Sequence, residues 1–137
     1  MENCIFCKIV KKETPAYIVA ENKNAIAFLD INPIADGHTV IISKKHYPDW
    51  QHTPKEVMVD VIALSYEVID KIDKSLKPFG YNYISNQGAI ANQVIFHFHL
   101  HIVPKYYENQ GFKANRIDVH AQSVEKVYKK LVKKPLL

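Results

Sequence analysis

Arginine is almost missing from this chain: Arg116 is the only one, and lysine supplies nearly all of the positive charge. Bidentate reading of guanine favours arginine, so specific nucleic-acid recognition is not expected. No apolar run approaches the ~18 residues that a membrane-spanning helix needs, and no membrane partner is expected. Met1-Glu2-Asn3-Cys4 carries an acid and no apolar stretch follows it, so a secretory leader is not expected and a cytoplasmic location is. Internal repeats, low-complexity tracts and linkers are absent. There is no Walker loop, no G-x-G-x-x-G and no carboxylate cluster to hold magnesium. Phosphoryl chemistry would therefore fall to other side chains. Cysteine is scarce too, at two residues. In a reducing compartment such a pair is more often a metal site or a redox couple than a disulfide.

What is present is ordinary for a globular protein. The 137 residues are 47% hydrophobic and 23% charged, which suits one domain over 1–137 with its own core. The formal charge of +4 gives a mild field that attracts small phosphorylated molecules, although most of the lysines read as solvated surface.

The pattern predicts an α+β fold with a five-stranded antiparallel sheet. Cys4 to Lys11 reads as helix or turn. Tyr17–Ala20 and Ala25–Leu29 read as a hairpin around the polar Glu21–Asn24. Thr39–Ile42 is β-branched throughout and reads as a central strand. A long helix follows, with Thr53 as N-cap, Pro54 at its first position and Glu56 completing a capping box. Val57, Val61, Leu64, Val68, Ile72 and Leu76 mark its apolar stripe, and Pro78 and Gly80 close it. Tyr81–Asn86 and Phe96–Val103 complete the strands, the last stopped by Pro104. Ser123–Val132 reads as a C-terminal helix with Val124, Val127 and Leu131 on its apolar face.

The segment from Phe96 to Ile102 alternates without a fault. Side chains alternate faces along a strand, so Phe96, Phe98, Leu100 and Ile102 would pack on the helices. His97, His99 and His101 would share the other face. A lone histidine is usually a satisfied core or surface residue, but three at this spacing indicate a site. Histidine can be nucleophile, acid, base or metal ligand near neutral pH. The outer two would lie roughly 13 Å apart along a straight strand, too far to share one metal with bonds of about 2 Å. The three therefore divide their tasks.

Cys4-Ile5-Phe6-Cys7 is half of a zinc site. A thioredoxin-like redox pair is the competitor, but it would follow a strand. The missing ligands could come from the histidines, which besides the aligned three are His38, His46, His52 and His120. Before the histidine strand, Asn86–Gln93 offers small residues, amides and backbone N–H groups of the kind that cradle phosphate, though a plain connecting loop looks similar.

His97-Phe98-His99-Leu100-His101-Ile102-Val103 resembles the signature of the histidine triad (HIT) nucleotide-binding family. The resemblance runs from Cys4 to about Phe112. It includes Phe28–Pro33, Gly37–Ile42, Lys44-Lys45-His46, and Asn86 eleven residues before His97. The N-terminal cysteine pair is similar to that of the zinc-containing bacterial Hit-like branch. This resemblance implies a hydrolase acting at the α-phosphorus of nucleoside phosphoramidates or dinucleoside polyphosphates. His99 would form a covalent nucleotidyl-histidine. His101 and His38 would contact the phosphate, with Asn86 and Gln93 as neutral donors. Asp30 would accept from the ribose, and Phe28, Ile31 and Ile42 would line the pocket for the base, a purine by expectation. Cys4, Cys7, His46 and His97 would hold one structural zinc, and no cofactor would enter the chemistry. A homodimer with joined sheets is also implied. The chain departs from the family pattern at Val94, where serine or threonine is common, and at Asn92, often glycine. The alternatives are nucleotidyl transfer to an acceptor, or nucleotide binding with weakened catalysis.

Overall fold

The alternating pattern of the sequence resolves into a sheet buried on both faces at its centre. A computed structural model describes residues 3–113 and 115–132. Residues 1, 2, 114 and 133–137 of the expected domain lie outside the described residues. The elements are α1 (Ile5–Val10), β1 (Ile18–Glu21), β2 (Ala25–Leu29), β3 (Thr39–Ser43), α2 (Lys55–Leu76), β4 (Gly80–Ile84), a 3₁₀ turn (Ala89–Ala91), β5 (His99–Lys105) and α3 (Val124–Leu131). The strands form one sheet in the order β1-β2-β3-β5-β4. Every neighbouring pair is antiparallel, so the expected five-stranded α+β architecture is present.

The faces follow from the two-residue repeat. Ala25, Ala27, Ile41, Phe98 and Ile102 pack against Met58, Val61, Leu64, Val68 and Ile72 of α2. Ile26, Phe28, Val40 and Ile42 pack on the opposite face against Phe6 and Ile9 of α1. Full burial of each valine, leucine, isoleucine, methionine or phenylalanine among these contributes about 1.5–3 kcal/mol. The hairpin turn is fixed by Asn22, whose Oδ1 accepts from the backbone N–H groups of Asn24 and Ala25. Its Nδ2 donates to the Asp60 carbonyl and so ties the turn to α2.

Four expectations need correction. The capping box does not form: the Thr53 hydroxyl donates to the Asp49 carbonyl, and α2 begins after Pro54 with no side-chain cap. The last strand starts at His99 rather than Phe96 and continues through Pro104 to Lys105. Pairing with β3 ends at Ile102, so Pro104 sits where only β4 remains alongside. Phe96 is half-exposed and does not join the core with Phe98. The C-terminal helix forms, with Ser123 capping Lys126 N–H, but none of its residues is buried.

Candidate active site

The histidine segment bends as it enters the sheet, and this bend divides its three imidazoles. The Phe98 N–H donates to the Tyr47 carbonyl at 2.6 Å. The His97 carbonyl accepts from His99 Nδ1 at 2.8 Å. The peptide between His97 and Phe98 is thus engaged outside the sheet, and His97 lies before β5 rather than on its face. His97 is fully buried and turns away from the other two.

Around His97 lies a closed corner. Cys4 is the N-cap of α1, Cys7 lies within that helix, and His46 follows β3. The metal-ligating atoms of Cys4, Cys7, His46 and His97 all lie within 4.8 Å of one another. His97 Nδ1 is 3.4 Å from Cys4 Sγ, 3.6 Å from Cys7 Sγ and 3.1 Å from His46 Nδ1. Cys7 Sγ is 3.3 Å from His46 Nδ1. Tetrahedral zinc with bonds of about 2.0 Å to nitrogen and 2.3 Å to sulfur needs ligand atoms roughly 3.3–3.8 Å apart. The four residues fit it. His97 Nε2 lies 2.7 Å from the Ser43 carbonyl. A carbonyl can only accept, so Nε2 carries the hydrogen and Nδ1 offers its lone pair to the corner. Burial also pushes His97 down to about 4, which keeps the ring neutral.

His99 and His101 face a separate cavity of about 500 Å³. Phe28, Asp30, Ile31, Asn86, His99 and His101, all anticipated from sequence, line it. His99 donates from Nδ1 to the His97 carbonyl, so Nε2 keeps a free lone pair. His101 is oriented by a chain of hydrogen bonds. The Ile34 N–H donates to His38 Nδ1 at 3.1 Å. His38 Nε2 must then carry the hydrogen, and it lies 2.9 Å from His101 Nδ1. His101 therefore holds its own hydrogen on Nε2, as a fixed donor. Burial lowers both His38 and His101, the latter to about 4. Asp30, His38 and His101 also group closely enough to suggest a second metal site. The Ile34 N–H argues against it, because a metal on His38 Nε2 would leave two hydrogens facing each other at Nδ1. Gly37 sets the approach of His38: its φ is +87°, and an added Cβ would lie 2.8 Å from Leu76 Cδ1.

Three anticipated residues are not in the cavity lining. Both ring nitrogens of His38 are engaged by the protein, so it reaches the cavity through His101. Ile42 is fully buried beneath, in the core. Gln93 is buried, accepts from the Gly88 N–H, and donates to the carbonyls of Pro48 and Ile95. Its amide builds the loop instead of pointing at a ligand. Asn92, at the position often held by glycine, adopts the left-handed conformation, with φ 70°. Sequence reasoning missed Phe6, whose ring centroid is 5.1 Å from that of His99 and 5.7 Å from that of His97. Its position inside the cysteine pair was the available signal.

A histidine-centred, small-molecule-sized cavity on a five-stranded α+β domain is the class that fold and site define. Residues 11–108 match the HIT domain model, and the chain belongs to that family. It is 48% identical over 126 residues to an uncharacterized HIT-like protein of Mycoplasma genitalium, covering 92% of this chain and 89% of the relative. It is 40% identical over 108 residues to the adenosine 5′-monophosphoramidase of Saccharomyces cerevisiae, covering 79% of this chain and 66% of that protein. A Bacillus subtilis HIT-family crystal structure superposes with TM-score 0.84 at 31% identity, covering 98% and 99% of the two chains. A zinc-bound histidine triad family protein of Mycobacterium smegmatis superposes with TM-score 0.75 at 34% identity, covering 83% and 84%. Among the described residues no helix is long and apolar enough to cross a membrane.

Proposed function

We propose that this protein hydrolyses nucleoside phosphoramidates, or closely related nucleotides, at the α-phosphorus. The observation that carries the reading is the tautomer of His99: its Nδ1 is bound to the His97 carbonyl at 2.8 Å, and its Nε2 faces the cavity as a free nucleophile. Nε2 forms a bond to phosphorus while the P–N bond breaks. The amine leaves with that electron pair and gains a proton. Water then displaces His99, so that phosphoramidate plus water gives nucleoside monophosphate plus amine. Two easier steps replace one hard one.

His101 donates its Nε2 hydrogen to a phosphate oxygen where charge accumulates, and Asn86 adds a neutral donor. His38 is a positioning residue that fixes the tautomer of His101. Asp30 accepts from the ribose, its Oδ1 already held by the Asn32 N–H at 2.8 Å. Phe28 and Ile31 flank the base, with Phe6 completing the wall. Cys4, Cys7, His46 and His97 hold a structural zinc, which stitches α1 to the sheet; four protein ligands leave no position for substrate. A cysteine pair that serves a metal instead of a disulfide suits a cytoplasmic setting. Assembly as a homodimer uses the open edge of β4 and the exposed Val59, Ile62 and Tyr66 of α2.

The named relatives support this reading, since one is a monophosphoramidase and another, from Arabidopsis thaliana, an adenylylsulfatase. The test is turnover of adenosine 5′-phosphoramidate by purified, zinc-loaded protein, read as ammonia and AMP released together. Binding of AMP without any turnover would leave the weakened-catalysis alternative in its place.

A further inference from the structure

The substrate class proposed above has three parts: nucleoside, phosphorus and amine. Phe28, Asp30 and Ile31 take the first, and His99 and His101 take the second. At the other end the cavity is lined by Asn86, Asn92, Val94 and Ile95. A second, more open cavity of about 600 Å³ borders the same wall. The residues that line both are Ile5, Val94 and Ile95, and all three are apolar. Phe96 extends the same surface on the far side.

These side chains are uncovered in the chain. Val94 is 84% exposed, Phe96 51% and Ile5 41%. A valine this open stabilises no core, and a hydroxyl-bearing residue would sit at lower cost in water. Among the described residues no carboxylate lines the junction or the second cavity, where Asn3, Cys4 and His46 complete the lining; the acid among the described residues lining the first cavity is Asp30, on the nucleoside wall. A cationic amine would therefore meet no carboxylate from these residues, whereas an alkyl or aryl group would remove the apolar surface of Ile5, Val94, Ile95 and Phe96 from water.

We propose that the saddle formed by Ile5, Val94 and Ile95, with Phe96 beyond it, is a leaving-group subsite selecting nucleoside phosphoramidates of apolar primary amines. The inference rests on the phosphoramidase reading and deepens it. The balance is that of the parent reaction: the P–N bond breaks, the apolar amine leaves with the electron pair and a proton, and water supplies the oxygen of the nucleoside monophosphate. The saddle does not touch the phosphorus, so it acts on which amine is accepted.

Three substrates test it: adenosine 5′-phosphoramidate, its N-hexyl derivative, and its N-(6-aminohexyl) derivative, which has the same reach and ends in a cation. The expected result is a kcat/KM about tenfold or more higher for N-hexyl than for N-(6-aminohexyl), with the unsubstituted compound between or below, as expected for an apolar group entering an apolar pocket. Val94→Asp should reverse the order of the two long substrates, and Ile5→Ser should shrink their ratio without reversing it. Measuring the ratio within each variant cancels differences in active fraction. Equal rates for the two long substrates, or the aminohexyl compound preferred by the unaltered protein, would overturn the subsite while leaving the phosphoramidase reading intact. Failure to turn over any of the three would remove the reading itself, and the subsite with it.

Discussion

Two corners of this molecule are built from the same materials and do opposite things. Both gather buried or half-buried imidazoles that burial pushes toward the neutral form, and in each a backbone carbonyl fixes the tautomer of one triad ring, Ser43 for His97 and His97 for His99. In the corner of Cys4, Cys7, His46 and His97 every ligating atom points inward, and the backbone carbonyl of Ser43 takes the outward nitrogen of His97. In the cavity the arrangement is inverted. Backbone or histidine partners hold the inner nitrogens of His99 and His101, and the outer nitrogens face open space. Closure makes a clamp, and an unmatched nitrogen makes a reactive group. A single backbone group joins the two, since the carbonyl of His97 orients His99.

The largest contrast between the corners should appear between a variant at residue 99 and the loss of metal or of Cys7. His99→Ala should lower turnover of adenosine 5′-phosphoramidate by roughly 10³-fold or more while the far-ultraviolet circular dichroism stays unchanged. The corner of Cys4, Cys7, His46 and His97 should behave the other way. Removing metal with a chelator, or by Cys7→Ser, should lower the melting temperature by about 10 °C or more. A helix of six residues such as α1 does not hold by itself, and it carries Phe6 against His99. Restoring zinc to the chelated protein should recover both stability and turnover. A metal-free preparation that melts at the same temperature would make the corner an ordinary buried cluster.

Smaller effects sharpen the account of the cavity. His38→Ala should reduce kcat about 10- to 100-fold by releasing the tautomer of His101. His38→Gln keeps an N–H donor toward His101 Nδ1 and should recover most of that loss. Equal defects in the two would mean that His38 merely fills space. The pH profile should move least. Burial lowers His38, His99 and His101 from the ordinary histidine value of 6.5. The neutral forms therefore persist below that pH, and kcat/KM should stay level from pH 8 to about 6.5 and decline only on further acidification. An acid limb centred at or above 6.5 would show that these rings titrate as if exposed.

Much of this was legible in the sequence because it depends on local period. The stripe from Val57 to Ile72 set α2, and the β-branched run at Thr39–Ile42 set β3. The unbroken alternation around His99 and His101 placed both rings on one face. His97 broke that alternation for a reason no local pattern encodes: the Tyr47 carbonyl captures the N–H of Phe98, and the cysteines lie ninety or more residues away in sequence. Thr53 and Gln93 show the same limit. Each has a side chain suited to the role expected of it, and each is drawn to a carbonyl of the loop between Pro48 and Asp49. Ile42 has the right character for a base pocket, but it lies in a strand buried on both faces. The apolar stripe of α3 was read correctly as a stripe, yet Val124 and Leu131 stay open in this chain.

The central claim is that the Nε2 of His99 attacks phosphorus. Rapid mixing with a slowly leaving adenosine phosphoramidate, followed by quenching above neutral pH and peptide mass spectrometry, reads that bond directly. The account predicts an adenylate on the peptide from the histidine strand, located at His99 and lost in His99→Ala. Steady turnover with no adduct at any time point, or an adduct on His101, would contradict it.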